Sequence, residues 1–184
     1  MRARIVTLLL LMMALSAVAS QQLTPAKAPA SPVRPATFRG ELFADLDDVQ
    51  DKITRLATAI PAEKYTWRPS PGVRSVSEVF MHITGGNYFL TTFVGEQPPA
   101  DMPKDIEKVN EKTHVLTELK KSFDHLRRVI ANESVADLDK SVSMFGKPST
   151  HRHVFNTIMN HLHEHLGQSI AYARMNGIVP PWSR

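Results

Sequence analysis

Residues 160–182 read NHLHEHLGQSIAYARMNGIVPPW, and the start of this run packs three histidines and a glutamate into five positions. His161 and His165 stand four residues apart, about 40° of helix rotation and one turn of rise, so on a helix their rings lie one above the other. This is how two imidazoles on one helix share a metal ion. His163 points roughly 160° away from the pair on the same geometry and is not expected to join it. Gly177 followed by Pro180, Pro181 and Trp182 marks a C-terminal stop. Ser149 or Thr150 provides the N-cap, which predicts a last helix over about 151–176.

Working outward, the same bundle-type periodicity recurs three times. Leu42, Leu46, Val49, Ile53, Leu56 and Ile60 fall at alternating spacings of four and three, a narrow apolar stripe of the kind antiparallel bundles bury. They predict a first helix over about 37–60, stopped by Pro61. SVSE at 75–78 reads as a capping box in which the Ser75 hydroxyl and the Glu78 carboxylate exchange hydrogen bonds with each other's backbone N–H. The second helix is predicted over about 76–94, with Val79, Ile83, Gly86, Leu90 and Phe93 inward and His82 beside the stripe. Gly85-Gly86 in mid-helix costs roughly 1 kcal/mol per residue against alanine, so open space beside His82 or a close helix contact is expected there. Ile106, Val109, Leu116, Leu119, Phe123, Leu126 and Ile130 predict a third helix over about 104–131. Residues 132–147 read as irregular, with a short strand at 142–145. The fold class is therefore all-α, a four-helix bundle with long connections between helices 1 and 2 and between helices 3 and 4.

Composition bounds the rest. The chain has 184 residues and no cysteine, which removes disulfides, thiolate metal ligands and a cysteine nucleophile together. Any metal site must be built from histidine, carboxylate and water. Arg2 and Arg4 precede an almost wholly apolar stretch at 5–15 and the small-x-small Ala17-Val18-Ala19, the pattern of a secretory signal peptide over residues 1–19. The stretch is too short to span a bilayer, so a secreted or periplasmic protein with no membrane segment after signal removal is expected. Residues 20–36, with Pro25, Pro29, Pro32 and Pro35 among alanines, read as a disordered Pro/Ala-rich tether. The bundle domain then occupies 37–184. Loss of Arg2 and Arg4 from 22 basic residues leaves 20 against 18 acidic ones, a net of +2 that does not indicate a nucleic-acid partner.

Two histidines hold a metal weakly, and a site needs at least one ligand from another helix. His82 is the best candidate, on the inward edge of a well-capped helix with small residues after it. His114, His125, His151 and His153 read as structural or surface residues. His161, Glu164 and His165 also spell H-x-x-E-H, the inverted zincin pattern with a glutamate base. Only 19 residues follow His165, with no acid and no histidine among them, so the third ligand such enzymes take further along the chain is missing.

SVSEVFMHITGGNYFL (75–90), preceded by IPAEKYTWRPSPGVR (60–74), together with the opening run, resembles the DinB-like superfamily of metal-binding four-helix bundles over about 38–182. The resemblance implies one divalent metal ion held by His82, His161 and His165, with Gly167-Gln168 matching the family's Gly-Gln after the second paired histidine. It implies no polymerase and no DNA contact, and it leaves open a homodimer. Three neutral imidazoles leave positions for water, the arrangement of a catalytic rather than a structural ion. Imidazole ligands suit zinc, nickel, copper or iron. Gln168, three residues after His165, faces the same way and is expected to orient a ligand or a water; Glu78, one turn before His82, is expected to serve as a hydrogen-bond partner or base, or only as the capping residue. Tyr65, Trp67 and Trp182 are candidates for a pocket wall, or for core plugs. The resemblance implies one of three kinds of activity: a thiol-dependent transferase or isomerase, a metal-dependent hydrolase, or a member without an assigned reaction. Since the small thiols used by the transferases are mainly cytosolic, export favours a metal-dependent hydrolase acting on a small molecule. The alternatives are a non-catalytic metal-binding or structural bundle and a thiol-dependent transferase.

Overall fold

The computed structural model describes residues 37–183. The signal peptide and tether expected over 1–36 lie outside the described residues. Four helices form the body: α1 (Phe38–Ala59), α2 (Val76–Thr91), α3 (Lys112–Asn132) and α4 (His151–Met175). A two-stranded antiparallel hairpin, β1 (Ser141–Met144) and β2 (Lys147–Thr150), precedes α4. α2 packs against α3 and α4, and α1 packs against the same two helices. None of the described helices is long and apolar enough to cross a membrane.

Each helix begins and ends for a local reason. Thr37 caps α1 by accepting from the Gly40 N–H (3.1 Å), and Pro61, which has no N–H to continue the ladder, follows its end. The last turn of α1 holds no basic residue; Lys112, at the start of α3, instead donates to the carbonyls of Thr58 (2.8 Å) and Ile60 (2.7 Å). One ammonium thus satisfies two orphan carbonyls and ties the end of α1 to the start of α3. The capping box of α2 is formed in both directions: the Glu78 N–H donates to Ser75 Oγ (3.3 Å) and the Ser75 N–H to Glu78 Oε2 (2.7 Å). α2 ends at Thr91, earlier than its apolar pattern predicts, and tightens into a short 3₁₀ turn at Thr92–Val94 before Gly95 takes a positive φ of 93°.

The stripe of α1 is buried as read: Leu46, Val49, Ile53 and Leu56 lose all accessible surface. They meet Val79, Phe80 and Ile83 of α2, Leu119, Phe123 and Leu126 of α3, and Val154, Ile158 and Leu162 of α4 in one core. At roughly 1.5–3 kcal/mol for each fully buried large apolar side chain, this seam is the main term opposing chain entropy.

Two predicted elements differ. Residues 104–111 are not part of α3, which starts at Lys112. Glu111 caps α3 through its own carboxylate, accepting from the Thr113 and His114 N–H groups (3.0 and 2.8 Å). The preceding segment is a loop with one 3₁₀ turn at Ile106–Lys108. Ile106 keeps helical phase with the α3 stripe in sequence, yet it packs beside Gly85 of α2 instead. The irregular stretch before α4 contains two strands rather than one, paired from Ser141↔Thr150 to Met144↔Lys147 around a two-residue Phe145-Gly146 turn. Thr150 rather than Ser149 caps α4, accepting from the His153 N–H (3.3 Å).

Candidate metal centre

His82 comes from the middle of α2, and His161 and His165 come from consecutive turns of α4. Packing of α2 on α4 brings the three rings together, with centroids 5.1 Å apart for His82–His161, 4.7 Å for His82–His165 and 4.5 Å for His161–His165. One ligand nitrogen from each lies within 4.8 Å of the other two, and among the described residues no other group of three or more His, Asp or Glu side chains converges in this way.

The glycine pair explains how the rings approach so closely. A Cβ built on Gly86 would stand 2.3 Å from His161 Cε1, 3.0 Å from Nδ1 and 3.1 Å from Nε2. The space on α2 that glycine leaves open is the space the imidazole fills. A Cβ on Gly85 would meet Ile106 at an ordinary 3.5 Å, so only the second glycine is required sterically by the histidine.

The ring nitrogens are sorted by their partners. His82 Nδ1–H donates to Glu107 Oε1 (2.9 Å). The same carboxylate accepts from Arg74 Nε (3.3 Å) and Nη2 (3.2 Å). Partial burial raises the Glu107 pKa, but the hydrogen bonds from Arg74 and His82 outweigh it and hold the carboxyl below its ordinary value. His165 Nδ1–H donates to Gln168 Oε1 (2.8 Å). Gln168 Nε2 donates to the Tyr172 hydroxyl (3.1 Å), which donates to the Arg74 carbonyl (3.1 Å). In both histidines Nδ1 is committed to an oxygen, which fixes the tautomer and leaves Nε2 with its lone pair. Burial, the first cause, depresses the pKa of His82 despite the opposing pull of Glu107. Burial followed by the charges of His165 and His82 pushes His161 down to about 4.

His161 differs in one respect. Its Nδ1 is buried and has no hydrogen-bond partner. An unpaired buried polar nitrogen costs roughly 1–3 kcal/mol, a cost removed when a non-protein group takes the lone pair. Three imidazoles, two with Nδ1 engaged and one with an orphaned nitrogen, fit a divalent ion. They form a donor set of three without a fourth protein ligand among the described residues, leaving room for small molecules.

The other sequence candidates separate clearly. Glu78 does not face His82: its carboxylate is held by the Ser75 N–H and by Arg68 Nη2 (2.9 Å). Those bonds, Ser75 first, keep its pKa below normal. The partner of His82 is Glu107, which the sequence reading placed on a helix and did not single out. Its only signal is an acid two residues before Val109 in a segment bracketed by Pro103 and the Glu111 cap, and this does not say where the loop folds back. His163 and Glu164 are exposed, and His163 Nδ1 donates to the Met159 carbonyl of its own helix (2.9 Å). His125 is buried between Thr91 and Arg128, His151 pairs with Glu133 (2.8 Å), His114 approaches Glu118 (3.8 Å), and His153 is exposed. Tyr65 is a core plug whose hydroxyl donates to the Ala57 carbonyl (2.8 Å). Trp67 lies edge-on to Tyr172 at 5.5 Å, one bond removed from Gln168. Trp182 packs against the core.

A bundle whose second helix gives one histidine and whose fourth gives an i, i+4 pair to a common point defines a class of histidine-cluster helical proteins. The chain belongs to the DinB superfamily, whose family model matches residues 45–169. Solved structures agree on the fold. A DinB-like protein from Bacillus cereus superposes with a TM-score of 0.68 at 15% identity, covering 76% of this chain and 93% of that one. Another from Bacillus subtilis gives 0.62 at 18% identity, covering 76% and 93%. A conserved protein from Enterococcus faecalis gives 0.63 at 14% identity, covering 73% and 94%. Among curated proteins none matches this chain in sequence.

Proposed function

We propose that this chain is an exported metal-dependent enzyme of hydrolase type, acting on a small molecule at a divalent ion held by His82, His161 and His165. The observation that carries the reading is the sorted donor set: three imidazoles at one point, two of them fixed through Nδ1 by Glu107 and Gln168. A divalent ion in such a site supplies a Lewis acid able to polarise a carbonyl or a water. The protein's own groups do the rest. Glu107 and Gln168 hold protons on Nδ1 of His82 and His165, so both Nε2 lone pairs stay available. Arg74 keeps Glu107 ionised, and its own backbone carbonyl anchors the Gln168–Tyr172 arm.

Protein purified without tag histidines is expected to carry about one divalent ion per chain, lost in His82→Ala and in His165→Ala. Wild-type protein that binds none would refute the reading. Hydrolysis of ester or amide substrates that chelator abolishes supports the enzyme. Export is tested by the N-terminus of protein from the native host, expected near Ser20; a cytosolic chain retaining residues 1–19 refutes it.

One observation favours a second reading, a metal-binding bundle without catalysis. Glu107, the acid that lines the pocket beside His82 and His161, is already engaged by His82 and Arg74, which leaves no free carboxylate there to take a proton. Metal binding without turnover of ester, amide or thiol-transfer substrates decides for it.

A further inference from the structure

Two of the three histidines, His82 and His161, line a cavity of about 380 Å³ together with Glu107, Gly86, Phe89 and Phe145. No lysine or arginine lines it, and its one carboxylate is neutralised by Arg74. The side chains of this lining offer no cation of their own to a phosphate or a polyanion. It offers aromatic surface: Phe89 and Phe145 are 52% and 60% exposed, unusually open for phenylalanine. With Phe93 they form a closed triangle of rings, centroids 5.4 Å (Phe89–Phe93), 5.1 Å (Phe93–Phe145) and 6.1 Å (Phe89–Phe145) apart.

Phe145 gives a second, independent observation. It occupies the first position of a two-residue hairpin turn in which both φ values are positive, 52° for Phe145 and 76° for Gly146. That is the type I′ turn, where Asn, Asp or Gly is strongly preferred at this position. A bulky residue there is a backbone outlier, a condition proteins retain mostly at functional sites. Phe145 is the only non-glycine residue with positive φ among the described residues. Its side chain lines the cavity that His82 and His161 also line.

We propose that the Phe89–Phe93–Phe145 triangle is the specificity subsite for an uncharged aryl or compact branched alkyl group, carried by a substrate whose polar head sits at the histidines. The inference rests on the metal-centre reading for the head group, while the aromatic subsite stands on its own residues. The cavity volume falls in the range of small-molecule pockets, and the exposed surfaces of Phe89 and Phe145, which line it, can take a further ring in edge-to-face contact.

Two metal-binding probes with the same head, acetohydroxamate and benzohydroxamate, separate head from tail by calorimetry on the metal-loaded protein. Wild type is expected to bind benzohydroxamate about tenfold more tightly. Phe145→Asn is expected to reduce that preference below about threefold, leave acetohydroxamate affinity unchanged, and keep or raise Tm because asparagine suits the turn. Phe89→Ser, on the exposed side of α2, is expected to do the same to the preference. Equal binding of the two probes by wild type, or a preference both variants retain, overturns the inference while leaving the metal centre intact. A metal-free arm uses protein labelled with 4-fluorophenylalanine and titrated with benzyl alcohol, followed by fluorine NMR. Shifts of the Phe89 and Phe145 resonances support the subsite even if no metal binds, in which case the proposed function alone fails; no shift overturns the subsite. A wild-type dimer that Phe145→Asn converts to monomer assigns the rings to a subunit contact and also overturns it.

Discussion

Replacing Gly86 by alanine is expected to move stability and metal affinity in opposite directions. The added methyl would stand 2.3 Å from His161 Cε1, and relief to an ordinary contact requires the ring to retreat by roughly 1 Å. The clashing atom is the far end of a side chain with two free torsions, so the metal-free protein accommodates it by rotating His161. Removing a mid-helix glycine then contributes up to about 1 kcal/mol, a rise of roughly 2–4 °C in Tm for a domain of this size. The metal site has no such freedom, because ligand distances tolerate only about 0.2 Å. Displacement of one of three imidazoles is expected to weaken zinc binding on the order of 100-fold, comparable with the stronger effects of disturbing a ligand's support. The assay is competition against a chromophoric chelator, with thermal melts of metal-free protein run beside it and His161→Ala as reference. Unchanged zinc affinity together with a raised apo Tm would refute the reasoning, since His161 would then bind nothing that its position matters to. A large drop in apo Tm would refute the other half, by showing the ring cannot move.

Three further outcomes follow from particular bonds. Glu107→Gln is expected to weaken metal binding roughly 10–100-fold with little change in folding, because the residue is half exposed and acts through His82 Nδ1; an unchanged affinity would return Glu107 to a surface ion pair with Arg74. Glu78→Ala is expected to lower unfolding free energy by about 1 kcal/mol through loss of the capping box while metal affinity stays put, as measured by urea titration and chelator competition; the reverse pattern would restore Glu78 to the site. Burial, aided by Arg128 and opposed by Glu96, depresses the pKa of His125, and Arg128 Nη2 donates to its Nδ1, so the folded chain holds it neutral. With a folded pKa below the unfolded value of about 6.5, the unfolded state binds more protons as pH drops, so stability present above that value is lost as pH falls toward the folded pKa. His125→Gln is expected to flatten part of the stability decline below about pH 6.5, and identical slopes in the two proteins would rule the residue out as a contributor.

The helices and their core were legible because each carries its own punctuation. Pro61, the SVSE box at 75–78 and Gly177 mark boundaries by local chemistry, and the α1 stripe leaves no choice of buried face. His161 and His165 were legible as a pair for the same reason, since four residues on a helix set their geometry. The need for room at Gly86 was visible as an unexplained cost, and the structure supplies its cause in His161. What did not show was anything decided by how loops fold back. Ile106 and Val109 keep a helical phase that competes with the Glu111 cap and with a place beside Gly85, and the tertiary contact prevails. Glu107 therefore arrives at His82 by a route that spacing does not encode. Glu78 matched in spacing, but its two oxygens were already taken by Ser75 and Arg68. Phe145 offered only a Phe-Gly dipeptide, a weak turn signal whose strained first position is apparent from backbone angles alone.

The loop that carries Glu107 holds one end of the bond that fixes the His82 tautomer. All three imidazoles sit on α2 and α4, whereas the acid that holds His82 in its tautomer comes from residues 95–111, held by a 3₁₀ turn, by Ile106 and Val109 against the core, and by the Arg74 pair. No residue of 95–111 is fully buried, so this segment is expected to open at lower free energy than the helices it packs on. If the proposed ion binds, its exchange is expected to follow local opening of this loop, and substitution of Glu107 is expected to retune the site while the helical core stays in place.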